Sequence, residues 1–333
     1  MHNGWQARRC CVYRTGCKRG RRMLHGFYNI FILSSLCCRL KLTYKAMNKG
    51  LTLITGADGG MGTILTQKML EAGYDVIMAC YSAEIARPIY EKMCKNYTQK
   101  VYLMQVDLGD LNSVKKLAEE ILSQFTSLQI ILNNAGVLCH SAQVSPNNIE
   151  YTAAVNYIGH YVLNHLLLPI MGKGSQIVSM ASHSYQWYNL KENFLAPKTQ
   201  SEFNRFVQYA NSKLSLYYYT LDAAKRWKER GIRINIADPG DVSTGIIRQG
   251  NKIIDFLCDI FYRPFIRTPE QGAATMLAVA LNPEYQKYTG TFFKKEKPCK
   301  PNKKYTDNIK EQKMLQAMTE KILAENNIIL PQF

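Results

Sequence analysis

The sequence predicts a doubly wound α/β domain, a seven-stranded and mainly parallel sheet with helices on both faces. Three observations predict it. From Leu51 onward, short apolar runs alternate with amphipathic stretches, as strands joined by crossover helices do. Apolar content of 47% and charged content of 20% are those of a chain with a core, which excludes global disorder. No internal repeat and no linker interrupts residues 47–333, so that stretch is read as one domain.

The expected strands are 51–55 (LTLIT), 75–80 (DVIMAC), 101–106 (VYLMQV), 128–133 (LQIILN), 175–180 (SQIVSM), 232–238 (IRINIAD) and 290–293 (GTFF). Helix-like segments lie near 60–72, 83–95, 111–125, 147–170, 205–230 and 269–281, with a final helix at about 307–325. The helix from 269 has a clear start: Thr268 can cap, Pro269 fits the first turn, and Gln271 can reach back as a capping-box partner. The Lys-rich stretch 294–304 is expected to be a solvated loop, and Tyr217–Tyr219 core or interface. Strands that alternate with helices place a ligand crevice at the C-terminal edge of the sheet.

The formal charge of +17 suggests nucleic acid until it is located. Residues 1–46 hold seven Arg, three Lys and no acid, leaving a modest +7 over the remaining 287 residues. No basic-aromatic ladder for stacking bases is present, so no nucleic-acid partner is expected. Five of the ten cysteines (Cys10, Cys11, Cys17, Cys37, Cys38) also fall in that segment. The rest are scattered without C-x-x-C or Cys/His pairing, as reduced cysteines of a cytosolic protein are, and no metal is expected. The apolar stretch at 24–38 is shorter than the roughly 20 residues a membrane span needs. Residues 1–46 are therefore read as a non-domain segment with three alternatives: a short anchor, a signal segment, or an upstream region before a true start at Met47. The last is favoured. The expected location is cytoplasmic, with membrane association through 24–38 as the alternative.

The chemistry begins at Thr55–Gly62 (TGADGGMG), between a strand and a helix. Gly56, Gly60 and Gly62 there would aim backbone N–H groups and a helix N-terminus at a pyrophosphate. The spacing differs from G-x-G-x-x-G, and a structural turn reads equally well from these residues alone. Asp107-Leu108 and Asn133–Gly136 (NNAG) end the third and fourth strands, at the edge where an adenine and its ribose would rest. Asp107 is placed to accept from the adenine amino group, or else to cap the next helix. Tyr209 and Lys213 stand four residues apart on one helix face, and an ammonium beside a phenol lowers its pKa toward that of a general acid/base. Ser182 can hydrogen-bond a substrate carbonyl. Asn156 can hold a water or a backbone carbonyl in a proton path.

Taken together, residues 51–293 resemble the short-chain dehydrogenase/reductase family. The motifs are T-G-x-x-x-G-x-G (Thr55–Gly62), Asp107-Leu108, N-N-A-G, Asn156, Ser182, Tyr209-x-x-x-Lys213 and P-G-x-V-x-T (Pro239, Gly240, Val242, Thr244), in family order. IVSMASHSY, the 27-residue gap from Ser182 to Tyr209, RTPEQGA and the 304–325 tail are most similar to the retinol-dehydrogenase-like branch.

The resemblance implies a single Rossmann-type domain and an NAD(P)-dependent oxidoreductase interconverting an alcohol and a carbonyl. Asn156, Ser182, Tyr209 and Lys213 would form the catalytic set. The dinucleotide would rest on Gly56, Asp58, Gly60, Met61, Gly62, Tyr81, Asp107, Leu108, Asn134, Ala135, Gly136, Tyr209, Lys213, Pro239, Gly240, Val242 and Thr244. The family usually places an acid at the end of the second strand to bind the 2′-hydroxyl of NAD, and here it is Cys80. The branch usually follows with Arg for a 2′-phosphate, and here it is Tyr81. Gly59 fills the other usual basic position, and Arg87 is the nearest downstream cation. The resemblance leans to NADP, with NAD as the alternative. An apolar lid is expected at about 245–267, suiting a lipophilic small-molecule substrate, and packing, a dimer contact or a membrane contact explain it equally. A homo-oligomer fits as well. The competing function on the same fold is a low-turnover dinucleotide-binding sensor or scaffold.

Overall fold

The computed structural model describes residues 48–240 and 268–332, and its eight strands form one sheet. They are β1 (Leu51–Thr55), β2 (Asp75–Cys80), β3 (Val101–Gln105), β4 (Ile130–Asn133), β5 (Gln176–Met180), β6 (Arg233–Asp238), β7 (Phe292–Lys294) and β8 (Lys297–Pro298). The order across the sheet is β3-β2-β1-β4-β5-β6-β7-β8. Every neighbouring pair up to β7 is parallel, and β8 returns antiparallel on β7.

The eighth strand corrects the expected seven. It lies in the Lys-rich stretch read as a solvated loop. Lys295 (φ 50°) and Glu296 (φ 61°) both take left-handed backbone there, the geometry of a two-residue hairpin turn. A strand of two residues is too short to leave a periodic signal.

The helices are α1 (Gly60–Glu71), α2 (Ala83–Asn96), α3 (Leu111–Gln124), α4 (Tyr151–Ala153), α5 (Gly159–Leu167), α6 (Arg205–Arg226), α7 (Pro269–Leu281), α8 (Lys303–Thr306) and α9 (Ile309–Glu325). A π-helical stretch, Ala154–Ile158, joins α4 to α5. Strand residues alternate between faces, and both faces are buried. Leu53, Ile77, Ile131 and Ile177 meet Val114, Val162 and Leu214 on one side, from α3, α5 and α6. Ile54, Met78, Leu132 and Val178 meet Leu65, Met69 and Met276 on the other, from α1 and α7. Burying one such side chain contributes about 2 kcal/mol, so the apolar runs themselves hold the sheet between its helices. Tyr217, Tyr218 and Tyr219 are buried.

The capping box of α7 forms as its residues suggest. Thr268 Oγ1 accepts from Gln271 N at 3.3 Å, and Thr268 N donates to Gln271 Oε1 at 3.1 Å. Helix formation at 147–170 begins later than the apolar period indicates. Asn148 has a left-handed φ of 57°, which no helix tolerates, so the chain turns before Glu150 caps α4.

The sheet runs outward from β1 to β3, then crosses back to β4 on the other side of β1. That reversal opens a crevice above the C-terminal ends of β1 and β4. Among the described residues, no helix is long and apolar enough to cross a membrane. The segment 24–38 and the expected lid at 245–267 lie outside the described residues.

Candidate active site

Gly56 follows β1 with φ +60°, and α1 starts at Gly60 without a side-chain cap on its first N–H groups. A Cβ on Gly62 would stand 1.9 Å from the Gly56 carbonyl oxygen, which fixes Gly62 as glycine. Bare N–H groups at a helix start attract an anion. The loop, the ends of β2 and β3 and the NNAG segment enclose a cleft of about 390 Å³. Gly56, Asp58, Gly60, Met61, Gly62, Tyr81, Asp107, Leu108, Asn134, Ala135 and Gly136 all line it, together with Tyr151 and Val155.

Asp107 does not cap α3; Asp110 does, accepting from Asn112 N at 2.9 Å. The Asp107 carboxylate instead accepts from Gly109 N at 2.7 Å and faces the Tyr151 hydroxyl. Burial and that carboxylate push the Tyr151 phenol up to about 12.

Asn134 locks the NNAG segment to the loop. Its side-chain amide donates to the carbonyls of Thr55 (3.0 Å) and Gly56 (3.1 Å). Its Oδ1 is buried with no hydrogen-bond partner among the described residues, and Asn134 itself lines the cleft. Thr55 Oγ1 accepts from the N–H groups of Asn134 and Ala135, both at 3.0 Å. A hydroxyl has one proton to give, and Thr55 gives it to His160 Nε2 at 3.0 Å. His160 is therefore neutral, with Nδ1–H donating to the Asn156 carbonyl at 3.3 Å. Burial agrees, pushing His160 down to about 3.

Asn156 lies in the π-helical stretch rather than in a regular helix. Its Oδ1 accepts from Val137 N at 2.7 Å, and its Nδ2 donates to Val137 O (2.9 Å) and Ser212 Oγ (3.1 Å). One side chain thus ties the strand edge to α6. A Cβ on Gly136 would come within 3.2 Å of Asn156 Oδ1 and 3.5 Å of Lys213 Nζ, so the glycine brings the catalytic side chains up against the cleft.

Tyr209 and Lys213 both project from α6. The Lys213 ammonium is 5.5 Å from the centre of the Tyr209 ring and donates to Met180 O at 2.9 Å. Ser182 is not in β5, which ends at Met180. It caps the turn His183–Gln186 by accepting from Ser184 N at 3.2 Å, and it hydrogen-bonds the Tyr209 phenol. The expected lowering of the Tyr209 pKa is absent from this arrangement. Burial pushes Tyr209 up to about 12, the Ser182 hydrogen bond works against that, and Asp238 adds to it. The ammonium lies over the ring, 5.5 Å from its centre, and burial pushes Lys213 itself down to about 8.

Pro239 and Gly240 follow β6 and do not line the cleft; Gly240 N donates to Asp238 Oδ1 at 3.0 Å. Val242 and Thr244 lie outside the described residues. Sequence reasoning missed Tyr151, His160 and Asp238. Only His160 carried a signal, four residues beyond Asn156 and so above it on a helix. Among the described residues no group of His, Cys, Asp and Glu is arranged for a metal. The uncapped helix start, the glycine cradle and the unpartnered Asn134 oxygen fit a dinucleotide.

The sequence profile of the short chain dehydrogenase family matches residues 51–253. Retinol dehydrogenase 14 of Mus musculus is 27% identical over 256 residues, covering 72% of this chain and 76% of the relative. Retinol dehydrogenase 12 of Bos taurus is 29% identical over 249 residues, with the same coverages of 72% and 76%. Among solved structures, a short chain dehydrogenase from Burkholderia cenocepacia J2315 in complex with NADP aligns with a TM-score of 0.60. It is 22% identical, covering 74% of this chain and 96% of that one, and so shares the fold.

Proposed function

The chain belongs to the short-chain dehydrogenase family, and from that premise we propose how its own residues carry out the reaction. The protein is an NAD(P)-dependent oxidoreductase acting on CH–OH groups, similar to retinol dehydrogenases. The bound dinucleotide supplies or accepts the hydride. Tyr209 is the general acid/base. With its phenol held up near 12, it carries its proton at neutral pH and gives it to a carbonyl oxygen, or takes one back from the alcohol. Ser182, hydrogen-bonded to that phenol, positions and polarises the same oxygen.

Lys213, buried and anchored on Met180 O, places positive charge over the Tyr209 ring and would hydrogen-bond the nicotinamide ribose of a bound dinucleotide. Asn156 belongs to the path by which the proton returns to solvent through Lys213. Gly60, Met61 and Gly62 at the start of α1 would hold the pyrophosphate. Asp107, Leu108 and Tyr81 line the same cleft and would flank the adenine, and the family resemblance gives Thr244, after the Pro239-Gly240 turn, the role of holding the carboxamide. The substrate is a lipophilic alcohol or its carbonyl, a reading supported by the retinol dehydrogenase relatives and the apolar sequence of 245–267.

The observation that carries this proposal is the convergence of Ser182, Tyr209 and Lys213, with Asn156 bridging them to the cleft. The test uses purified protein, both reduced dinucleotides and carbonyls of rising chain length, followed at the nicotinamide absorbance. Turnover is expected to rise with chain length. Tyr209→Phe is expected to lower kcat/KM by at least about 100-fold while leaving dinucleotide binding unchanged. A variant as fast as wild type would sink the proposal.

A further inference from the structure

Lys294 opens the Lys-rich stretch and ends β7, in register with Asp238 at the end of β6. Asp238 is 1% exposed. Its Oδ1 accepts from Gly240 N at 3.0 Å, and its Oδ2 is buried with no hydrogen-bond partner among the described residues. Lys294 Nζ stands 3.8 Å from that second oxygen, in ion-pair range but too far for a hydrogen bond. A carboxylate sunk this deep keeps its charge at a heavy cost unless a cation stands by it. Lys294 is that cation.

The same ammonium has a second partner on the active-site side. Lys294 Nζ lies 3.4 Å from His183 Nδ1. An ammonium has only protons to give, so Nδ1 accepts and a neutral ring carries its proton on Nε2. His183 opens the turn His183–Gln186 and directly follows Ser182, which caps that turn by accepting from Ser184 N. On the other side of Ser182, Ala181 N donates to Ala237 O at 2.8 Å. Both neighbours of Ser182 are thus anchored, Ala181 by the backbone of β6 and His183 by a side chain from β7. His183 is exposed and the Lys294 side chain is 39% exposed, so this second anchor can be cut without opening the core.

We propose that Lys294, held between Asp238 and His183, is a positioning residue that keeps the Ser182 turn in place for the reaction. The proposal rests on the oxidoreductase reading, in which the Ser182 hydroxyl polarises the reacting oxygen. Lys294 touches neither substrate nor dinucleotide in it. The buried carboxylate fixes the ammonium, and the ammonium fixes the turn. A hydroxyl that drifts from its place still lets substrate bind, but stabilises the charge on the reacting oxygen less in the transition state. The loss therefore falls on kcat and not on KM.

The test is steady-state reduction of decanal by the full chain and its variants, with each reduced dinucleotide at saturation. His183→Ala removes the acceptor at an exposed site and leaves the Asp238–Lys294 pair whole. It is expected to lower kcat by about 10-fold or more, with KM for decanal within about twofold of wild type. His183→Asn keeps an acceptor oxygen at similar reach and should recover most of that loss. Lys294→Met should lower kcat at least as far as His183→Ala, and the double variant should be no slower than Lys294→Met alone, because the two act as one contact. If Lys294→Met does not fold with Asp238 left unpaired, the two His183 variants carry the test. Wild-type kcat in His183→Ala overturns the proposal, as does an equal loss in His183→Ala and His183→Asn. Losses that multiply in the double variant overturn it as well. A wild type that reduces neither decanal nor any other carbonyl of the chain-length series overturns the oxidoreductase reading itself, and the proposal with it.

Discussion

The two ends of the crevice are built on opposite plans. At the loop end, contacts are offered mainly by backbone, glycines and bare N–H groups at the start of α1, beside two carboxylates with no Lys or Arg among the described lining residues. At the catalytic end they are offered by side chains of α6, with a buried ammonium at Lys213 and a half-buried Tyr209 hydrogen-bonded by Ser182. The difference teaches where each end is fragile. The loop end fails when a backbone atom is displaced. The catalytic end fails when a charge is changed.

The sharpest way to break that comparison is Gly62→Ala. A Cβ placed 1.9 Å from the Gly56 carbonyl must move the loop. Dinucleotide binding is expected to fall below detection in calorimetry, with a loss of stability of about 1–3 kcal/mol in denaturant unfolding. A variant that binds normally would show that the loop does not need its close approach.

Lys213→Met comes next, with kcat expected to fall by about 100-fold. It also carries a pH signature. Burial lowers the lysine from 10.5 to about 8 in the folded protein, so between those values the unfolded chain holds more protons. The Lys213 contribution to stability should therefore rise as pH increases from about 8 toward 10.5, against an opposite contribution from the Cys80 thiol above 9, and the methionine variant should lack that rise relative to wild type. Equal slopes in the two proteins, measured by unfolding at fixed pH values, would refute the buried ammonium. Above the ordinary tyrosine range the sign reverses, because Tyr209, held near 12, then keeps a proton that the unfolded chain releases.

The smallest effect is expected at His160, which joins the two ends. His160→Gln should cost about 1–3 kcal/mol, since Thr55 Oγ1 and the Asn156 carbonyl both lose a buried partner. Folded His160 stays neutral down to about pH 3, whereas the unfolded side chain protonates near 6.5, so wild-type stability falls as pH drops through that window. The variant should show a shallower acid slope, not an absent one, because burial also lowers His165 to about 4.

What was legible in the sequence was local. The glycine loop and the Tyr209/Lys213 pair depend on spacings of a few residues, which a turn and a helix convert directly into geometry. The strands were legible because each apolar run is long enough to be buried on both faces. Other features depend on contacts between distant segments. Nothing near Asp238 announces that Lys294, far along the chain, will stand 3.8 Å from its carboxylate at the end of another strand. Nothing near Asn156 announces the π-helical stretch. Tyr209 misled for the same reason. The spacing correctly placed Lys213 on its face of α6, but the pKa follows from burial and from Asp238, which comes from a different strand.

The hairpin that adds β8 has a consequence for what this sheet can join. An open sheet edge with free N–H groups is a template on which another chain can add a strand. Here the edge beyond β7 is closed by two residues, one a lysine and the other Pro298, which has no N–H to offer. Cys299 N is turned inward to Phe292 O at 2.8 Å. On that side Pro298 offers no N–H to an added strand, which weakens the edge as a template for another chain.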